Sequence, residues 1–190
     1  QLDFHPVTNL TLTAGIRYTD EFKDVQFAPN VNTLPRSGIN NQPFSTQDLI
    51  NLGIPVSQRA RVWTPRFAIN YQVTPEIMVF ASATKGFKSG GWNARANYAA
   101  LAVPFTRETV WSYEAVIRSE FFNRHLRVNL TGFSFVDRDF QLPAGYLDPV
   151  TSTILYLTRN FADLKNYGLE GEVTVVPVRD LNIYWSFGLQ

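Results

Sequence analysis

The sequence predicts an all-β protein whose strands form an antiparallel up-and-down sheet of the kind found in transmembrane barrels. Apolar and polar residues alternate with period two along several long segments, and no segment of similar length has a helical period. Charged residues make up only 17% of the chain and aromatic residues make up 14%. Short turns and long loops also follow one another in strict order, as they do in a barrel with one trimmed rim and one elaborated rim.

The alternating segments appear in the order "LTLTAGIRYT", "RFAINYQV", "IMVFASATKGFK", "ETVWSYEAVIR", "LRVNLTGFSF", "NYGLEGEVTV" and "LNIYWSFGL". The first residues, "LDF", end a further strand, so we predict about seven to eight strands. In the fourth segment one face carries Trp111, Tyr113 and Ile117, and the other carries Glu114 and Arg118. Side chains on a strand alternate between its two faces, so one face is apolar and aromatic while the other is polar.

The connections between these strands fall into two classes. The short ones are "HPVTNL", "VTPE", "FFNRH" and "VPVRD", whose Pro, Asn and Asp residues suit tight turns. The long ones cover residues 28–60, 89–107 and 143–157 and are rich in Asn, Pro, Gly and Ser. A sandwich with Greek-key connections does not require this alternation, whereas the outer rim of a barrel accommodates long loops.

Composition excludes several classes of function. A formal net charge of +1 without any Lys/Arg run gives no support for nucleic-acid binding. The absence of cysteine excludes disulfides, thiolate metal sites and cysteine nucleophiles. The two histidines, His5 and His125, lie near short turns without clustered metal ligands. We therefore predict no catalytic residues, no metal site, no cofactor and no enzymatic activity.

The chain resembles the C-terminal barrel half of TonB-dependent outer-membrane receptors. The resemblance is carried by "LTLTAGIRYTDEFKD", "WTPRFAINYQVTPEIMVFASATKGFKSGGWNAR", "ETVWSYEAVIRSEFFNRHLRVNLTGFSFVDRDFQ" and "RNFADLKNYGLEGEVTVVPVRDLNIYWS". It implies that residues 1–190 belong to a 22-stranded barrel in the bacterial outer membrane. It also implies an N-terminal plug domain and uptake of a scarce extracellular ligand, energised through TonB. That ligand is most often a ferric siderophore, and otherwise cobalamin, haem or a glycan.

The chain begins without Met and stops within an alternating run, so we interpret it as an excerpt of a longer protein. The plug domain, the TonB box and the signal peptide are expected outside these residues.

A group in the second long loop combines cations with aromatic and amide side chains. Such a mixture can hold an anionic aromatic ligand such as a ferric catecholate. The candidate ligand-binding residues are Lys88, Trp92, Asn93, Arg95 and Tyr98. The alternative interpretation is a mobile, solvated loop.

A second group consists of charges on the polar strand face, which is predicted to line the lumen. They are Glu114, Arg118, Glu120, Arg127, Glu170 and Glu172. They could form a cross-strand ladder of ion pairs, each contributing about 0.2–1 kcal/mol, or they could contact the plug or the ligand path. Aromatic residues expected in the interfacial girdles are Trp63, Trp111, Tyr113 and Trp185, with Tyr184 in the lumen phase.

Two other functional classes remain open at this point. The chain could be a soluble, aromatic-rich β-sandwich, such as a carbohydrate-binding module or a glycosidase domain. It could also belong to a passive porin without a plug.

Overall fold

The computed structural model describes residues 1–28, 44–149 and 152–190 of the chain. One short α-helix and a 3₁₀ turn, Ala99–Leu101, accompany the strands. In chain order the elements are β1 (Leu2–Val7), β2 (Leu10–Asp24), α1 (Thr46–Asn51), β3 (Ser57–Thr74), β4 (Ile77–Lys88), β5 (Gly91–Trp92), β6 (Pro104–Phe105), β7 (Glu108–Phe121), β8 (Leu126–Arg138), β9 (Gln141–Leu147), β10 (Ile154–Asn160), β11 (Leu164–Val178) and β12 (Leu181–Leu189).

Eight strands form one antiparallel sheet with the order β1-β2-β3-β4-β7-β8-β11-β12. The prediction of seven long strands preceded by the end of another is thereby confirmed. The connections alternate between short turns and long segments around this sheet, as the sequence indicated. Within the described residues the sheet is open, since β1 and β12 each pair on one side only.

The pairing register sorts the side chains onto two faces. Directly paired residues point to the same side of an antiparallel sheet. One row across the sheet reads Ile69, Ala81, Ala115, Gly132 and Leu169. The adjacent row reads Asn70, Phe80, Val116, Thr131 and Glu170. We call the first side the lipid face and the second, more polar side the lumen face.

Large apolar side chains on the lipid face are exposed. Phe67, Ile117 and Ile183 keep 54%, 48% and 51% of their surfaces accessible. A soluble sandwich would bury this face against a second sheet, but here the main sheet presents it outward. The structure therefore supports the membrane interpretation and gives no support to the sandwich.

The lipid face has the height that a bilayer requires. Trp111 pairs with Val136 near one end, and Trp185 pairs with Val173, which itself pairs with Val128, near the other. The eight residue steps from Val128 to Val136 span about 27 Å along β8. At a strand tilt of about 40° this corresponds to about 21 Å of depth, close to the apolar band of outer-membrane barrels, which is about 25 Å tall.

The third long connection differs from the prediction. Residues 143–157 were expected to form an irregular loop, but β9 and β10 pair in a continuous antiparallel ladder from Gln141–Asn160 to Leu147–Ile154. The first of these strands was not predicted because it contains Pro143 and Gly145, residue types that are typical of loops. A two-stranded ribbon tolerates proline because each strand has a free edge. Residues 150–151 of this connection lie outside the described residues.

The first long connection contains a helix that the sequence analysis did not predict. Ser45 and Asp48 form a capping box at the start of α1, with Ser45 N donating to Asp48 Oδ2 at 2.7 Å. Leu49 of α1 is buried against Ala99 and Ala102 of the second connection, together with Phe27 and Phe44. Six residues are too few to show helical periodicity. Residues 29–43 of the predicted loop lie outside the described residues.

Among the described residues, none of the helical segments combines the length and the apolarity needed to traverse a bilayer.

The two faces of β8 predict opposite responses to a charge. Leu130 lies on the lipid face within the apolar band, two residues from Val128, and its neighbour Thr131 lies on the lumen face beside Glu170. Leu130→Arg in the full-length protein is expected to impair folding, because arginine on the lipid face within the apolar band is unfavourable, by up to about 2–4 kcal/mol at the midplane. Thr131→Arg is expected to fold normally. Heat-modifiable migration in gels measures both, and equal defects would contradict the assignment of the two faces.

Candidate ligand-binding rim

The second long connection, residues 89–107, leans across the lumen face of neighbouring strands. Lys23 Nζ donates to Gly90 O at 3.1 Å, and Gln58 Nε2 donates to Gly91 O at 3.0 Å. The hydroxyl of Ser89 donates to the carboxylate of Glu21. Glu21, Lys23 and Gln58 all have the lumen phase of β2 and β3. The connection therefore folds inward over the lumen side and not outward along the lipid face.

The third long connection is tied to the second by side-chain amides. Asn93 is 8% exposed; its Nδ2 donates to Val103 O at 2.9 Å and to Thr158 O at 3.1 Å, while its Oδ1 accepts from Thr158 N at 2.7 Å. Asn160 Nδ2 donates to Thr106 O and to Asp139 O, at 3.0 and 2.7 Å. These contacts fix the β9–β10 ribbon against the second connection.

Gln141 joins both of these connections to the sheet. It is only 4% exposed, and its Nε2 donates to Ser89 O at 3.0 Å and to Thr106 O at 2.9 Å. Its backbone N–H donates to Glu108 Oε2 at 2.7 Å. Together with the buried contact between Leu49 and Ala99, these bonds join segments 44–56, 89–107 and 139–163 into one unit, which we call the cap.

Tyr98 supplies a further link within the cap. Its hydroxyl donates to Asp148 Oδ1 at 2.9 Å, and Asp148 is fully buried. Burial, followed by this hydrogen bond to the carboxylate, raises the pKa of Tyr98 above its ordinary value. The phenol therefore remains a protonated donor at neutral pH.

An opening of about 510 Å³ lies between the cap and the ends of β2 and β3. Its lining includes the charged residues Glu21, Lys23, Arg59, Arg107 and Asp139. Arg107 Nη1 donates to Arg61 O at 3.1 Å, so this side chain is partly committed to the wall. The opening is large enough for a small ligand and is mixed in charge.

The structure gives the five candidate ligand-binding residues different roles. Asn93 and Tyr98 form internal bonds of the cap, and Trp92 Nε1 donates to Pro55 O at 2.6 Å. Lys88 is exposed, with its Nζ 3.9 Å from Glu108 Oε2. Arg95 is exposed, and no partner for it occurs among the described residues. Lys88 and Arg95 are thus the members that remain accessible to a ligand, and the expectation of a mobile loop does not describe the other three.

The six predicted lumen charges all lie on the lumen face by register. Glu120 pairs with Arg127 across β7 and β8, and Arg127 Nη2 lies 2.7 Å from Glu120 Oε1. Arg124 Nε also approaches Glu120 Oε2 at 3.2 Å. This end of the sheet therefore contains a compact ion-paired group.

The ion pairing does not extend along the sheet as a ladder. Glu114 faces Ser82 and Phe133, and Arg118 faces Met78 and Asn129. Within the described part of the chain, Glu114, Arg118, Glu170 and Glu172 have no opposite charge within 4 Å. None of these four residues is directly paired across strands with a residue of opposite charge. Their side chains can therefore interact with groups inside the lumen.

Sequence reasoning did not identify the residues that organise the cap. Gln141, Asn160, Glu108 and Asp148 are polar residues in or beside loops, and in a sequence they look like solvated positions. Only their burial and bonding partners distinguish them. For residues 1–28, 44–149 and 152–190, no group of three or more His, Cys, Asp or Glu side chains is arranged to hold a metal ion.

Comparison with known proteins defines the class. The "TonB dependent receptor-like, beta-barrel" family matches residues 1–190. The metal-pseudopaline receptor CntO of Pseudomonas aeruginosa is 36% identical over 76 residues, which is 40% of this chain and 10% of that protein.

Solved structures agree with this class. The ferric yersiniabactin uptake receptor FyuA of Yersinia pestis matches with a TM-score of 0.63 at 16% identity, over 98% of this chain and 26% of that one. The copper transporter OprC matches with a TM-score of 0.62 at 10% identity, over 98% and 27%. The alcaligin receptor FauA of Bordetella pertussis matches with a TM-score of 0.52 at 17% identity, over 98% and 28%.

The fold is that of an outer-membrane transport receptor wall. The chain belongs to the TonB-dependent receptor β-barrel family, which confirms the resemblance and the outer-membrane location. It spans about a tenth of its curated relative and about a quarter of these solved receptors. The family and the fold are those of transport receptors, and neither the sandwich nor the passive porin finds support among the matches.

Asn93 provides a test of the cap. Asn93→Ala removes two hydrogen bonds to Thr158 of the third connection and one to Val103 within the second, each worth about 1 kcal/mol. The free energy of opening the β9–β10 ribbon should fall by about 2 kcal/mol, and hydrogen exchange in residues 154–160 should accelerate while the barrel assembles normally. Asn97→Ala removes a nearby amide without such bonds and serves as the control. Equal exchange rates in the two variants would contradict this role of Asn93.

The alternation of turns and loops predicts the orientation of the wall. The cap should face the exterior and the short turns the periplasm. Ala100 is exposed in the cap and Arg179 is exposed in the last turn, and the chain has no native cysteine. In intact cells, an impermeant thiol reagent should label Ala100→Cys and spare Arg179→Cys until the membrane is permeabilised. The reverse pattern would invert the topology.

Proposed function

We propose that this chain forms part of the wall and the outer cap of a receptor that imports a ferric siderophore across the bacterial outer membrane. The observation that supports this proposal best is the cap itself. Three connections are bonded into one unit that leans over the lumen face at a single rim. A unit in this place can hold a ligand above the passage without any covalent chemistry.

The exposed cations of the cap and of the adjoining end of β4 suit an anionic metal chelate. Lys88 and Arg95 are exposed cations on either side of Trp92 in the chain. Guanidinium and ammonium groups attract catecholate or carboxylate oxygens, and an indole face adds stacking and cation–π contacts. Among the similar proteins, FyuA is a ferric yersiniabactin uptake receptor, FauA is an alcaligin receptor and CntO is a metal-pseudopaline receptor.

The remaining partners follow from membership of the family. We propose that a plug domain encoded outside residues 1–190 fills the lumen and receives energy through TonB. The unpaired charges Glu114, Arg118, Glu170 and Glu172 face that space and suit contacts with the plug or with a passing ligand. The outward face contacts outer-membrane lipid.

Uptake of radioactive iron tests the proposal. The full-length receptor, in a host lacking its own siderophore receptors, should import iron from at least one chelate in a panel of catecholates, hydroxamates and carboxylates. Import should cease in a host without TonB. Lys88→Ala combined with Arg95→Ala should raise the ligand concentration for half-maximal uptake by about tenfold, because each lost charged contact is worth roughly 0.5–1 kcal/mol at an exposed site.

The matched control is Arg179→Ala, which removes an exposed cation at the opposite end of the wall. It should leave uptake unchanged. Uptake that persists without TonB would indicate a passive channel. Failure of every chelate in the panel, with the receptor correctly folded, would refute the siderophore as the ligand.

A further inference from the structure

Two acidic side chains meet where the cap joins the wall. Asp137 lies on the lumen face near the end of β8, and Glu108 lies on the same face at the start of β7. Asp137 is directly paired with Val110, so Glu108 occupies a diagonal position on the neighbouring strand. Diagonal neighbours on one face are within reach of long side chains, and the two carboxyl groups are hydrogen-bonded to each other.

Asp137 is buried in this arrangement. It is 7% exposed, and its direct neighbours on β7 and β11 are the apolar residues Val110 and Leu164. Its Oδ1 atom is inaccessible to solvent and accepts no hydrogen bond from an amide, a hydroxyl or a basic group of the described residues. A buried carboxylate without such donors is costly. The environment of Asp137 therefore favours the neutral, protonated form.

The hydrogen bond between the two groups requires a proton, since an ionised carboxylate can only accept. The backbone N–H group of Gln141 donates to Glu108 Oε2 at 2.7 Å, and Lys88 Nζ lies 3.9 Å from the same oxygen. Both contacts favour a negative charge on Glu108. We therefore assign the shared proton to Asp137.

This carboxyl pair supports the residue that joins the cap to the sheet. Gln141 is bonded to Glu108 through its backbone, and its side-chain amide donates to Ser89 O and Thr106 O at 3.0 and 2.9 Å. A second negative charge, on Asp137, would repel Glu108 and would be buried without a partner. Separation of the two carboxylates relieves both costs, and it disturbs the bond between Glu108 and Gln141.

The position of Asp137 makes this proton exchangeable with water. Asp137 follows Val136, which is paired with Trp111 at the end of the apolar band. The carboxyl group is therefore outside the membrane-spanning part of β8, on the side of the sheet that faces the lumen and the cap. Its nearest basic neighbours along β8 and β11, Arg138 and Lys165, have the opposite phase and point to the other face.

The charges that face Asp137 act on it in both directions. Burial, followed by the charge of Glu108 and the hydrogen bond to it, raises the pKa of Asp137 to about 6. Asp163, directly before β11, raises this pKa further, whereas Lys88 on β4 lowers it. Three carboxyl groups and one ammonium group thus meet at the end of three neighbouring strands.

We propose that Asp137 and Glu108 form a proton-dependent joint between the cap and the wall. While Asp137 is protonated, the pair is bonded and the cap is held through Gln141. When Asp137 releases its proton to water, the two carboxylates separate and the cap is loosened. This joint concerns the attachment of the cap and does not depend on which ligand the receptor imports.

The direction of the pH dependence follows from the raised pKa. In the open joint the carboxyl group of Asp137 is solvated and has its ordinary pKa of 3.8, so it binds the proton less tightly than in the closed joint. Protonation therefore favours the closed joint, and this contribution is lost as the pH rises through about 6. From about pH 5 to about pH 7.5, the equilibrium constant for opening should rise about tenfold.

Hydrogen exchange at the backbone amide of Gln141 in the full-length receptor measures this opening, because that N–H group donates to Glu108. Its exchange rate, divided by the rate of an unstructured peptide at the same pH, should rise about tenfold between about pH 5 and about pH 7.5. Asp137→Asn is neutral at every pH and can still donate to Glu108, so its normalised rate should not change. A constant rate in the unmodified receptor, or an equal rise in Asp137→Asn, would overturn the proposal.

The matched control is Asp139→Asn, which removes an exposed carboxylate two residues away. The φ of 57° at Asp139 suits asparagine equally well. This variant should retain the tenfold rise. If it lost the rise as Asp137→Asn does, the effect would belong to the general charge of the rim and the joint would be refuted.

Neighbouring charges provide a test that a purely structural role would not pass. Asp163→Asn should move the midpoint of the rise to lower pH, and Lys88→Gln should move it to higher pH, because the two groups act on Asp137 in opposite directions. Shifts in the same direction would contradict the assignment of the proton.

Infrared spectroscopy of the unmodified receptor decides the question if Asp137→Asn does not fold. The C=O stretching band of a buried, protonated carboxyl group should be present at about pH 5 and should disappear as the pH rises through about 6. Absence of this band in acid would refute the protonated pair.

Discussion

The structure depends on one constraint: every backbone N–H and C=O group in the hydrocarbon layer needs a partner within the protein. Long antiparallel strands meet it by pairing with both neighbours, and the β4–β7 and β7–β8 ladders run almost the full length of their strands. Because side chains alternate with period two, a slip of one residue would move every lipid-facing side chain to the lumen. Backbone pairing and side-chain polarity therefore fix the same register.

That register gives each strand two faces with different chemistry, because successive side chains point to opposite sides of the sheet. On the lumen face, polar side chains such as Glu114 and Glu170 are solvated or meet another protein segment. On the lipid face, charge is tolerated only at the margins, where its cost falls to about 0–1 kcal/mol. The position of Lys85, Arg138 and Lys165 at one margin follows from this limit.

The wall could be predicted from the sequence because its pattern is local. Consecutive residues such as Tyr113 and Glu114 show which face of the strand is apolar and which is polar. Short turns such as "VTPE" show which strands are adjacent in the sheet. The β9–β10 ribbon was missed because Pro143 and Gly145 resemble loop residues, although an isolated ribbon accepts both. Helix α1 was missed because its main support is Leu49 packing against Ala99, some fifty residues later in the chain.

The candidate site was harder to predict than the wall for the same reason. The residue types in the second connection suggested a ligand site. In the structure, however, the side chains of Asn93 and Tyr98 form hydrogen bonds to Thr158 and Asp148. A buried amide that bonds to a distant backbone cannot be distinguished from an exposed one by composition. Lys88 and Arg95 can be distinguished as the exposed candidates only when those hydrogen bonds are known. Tertiary partners therefore decided which members remain accessible.

The wall and the cap are stabilised by different kinds of interaction, and this difference suits a transport receptor. The wall is a continuous ladder of backbone bonds, whose opening would expose polar groups to hydrocarbon. The cap rests on separate side-chain bonds, such as those of Gln141 and Asn160, each with a net value of about 0.5–1.5 kcal/mol. Water replaces such bonds at little cost, because the cap lies beyond the apolar band. The cap can therefore rearrange while the register of the wall stays unchanged.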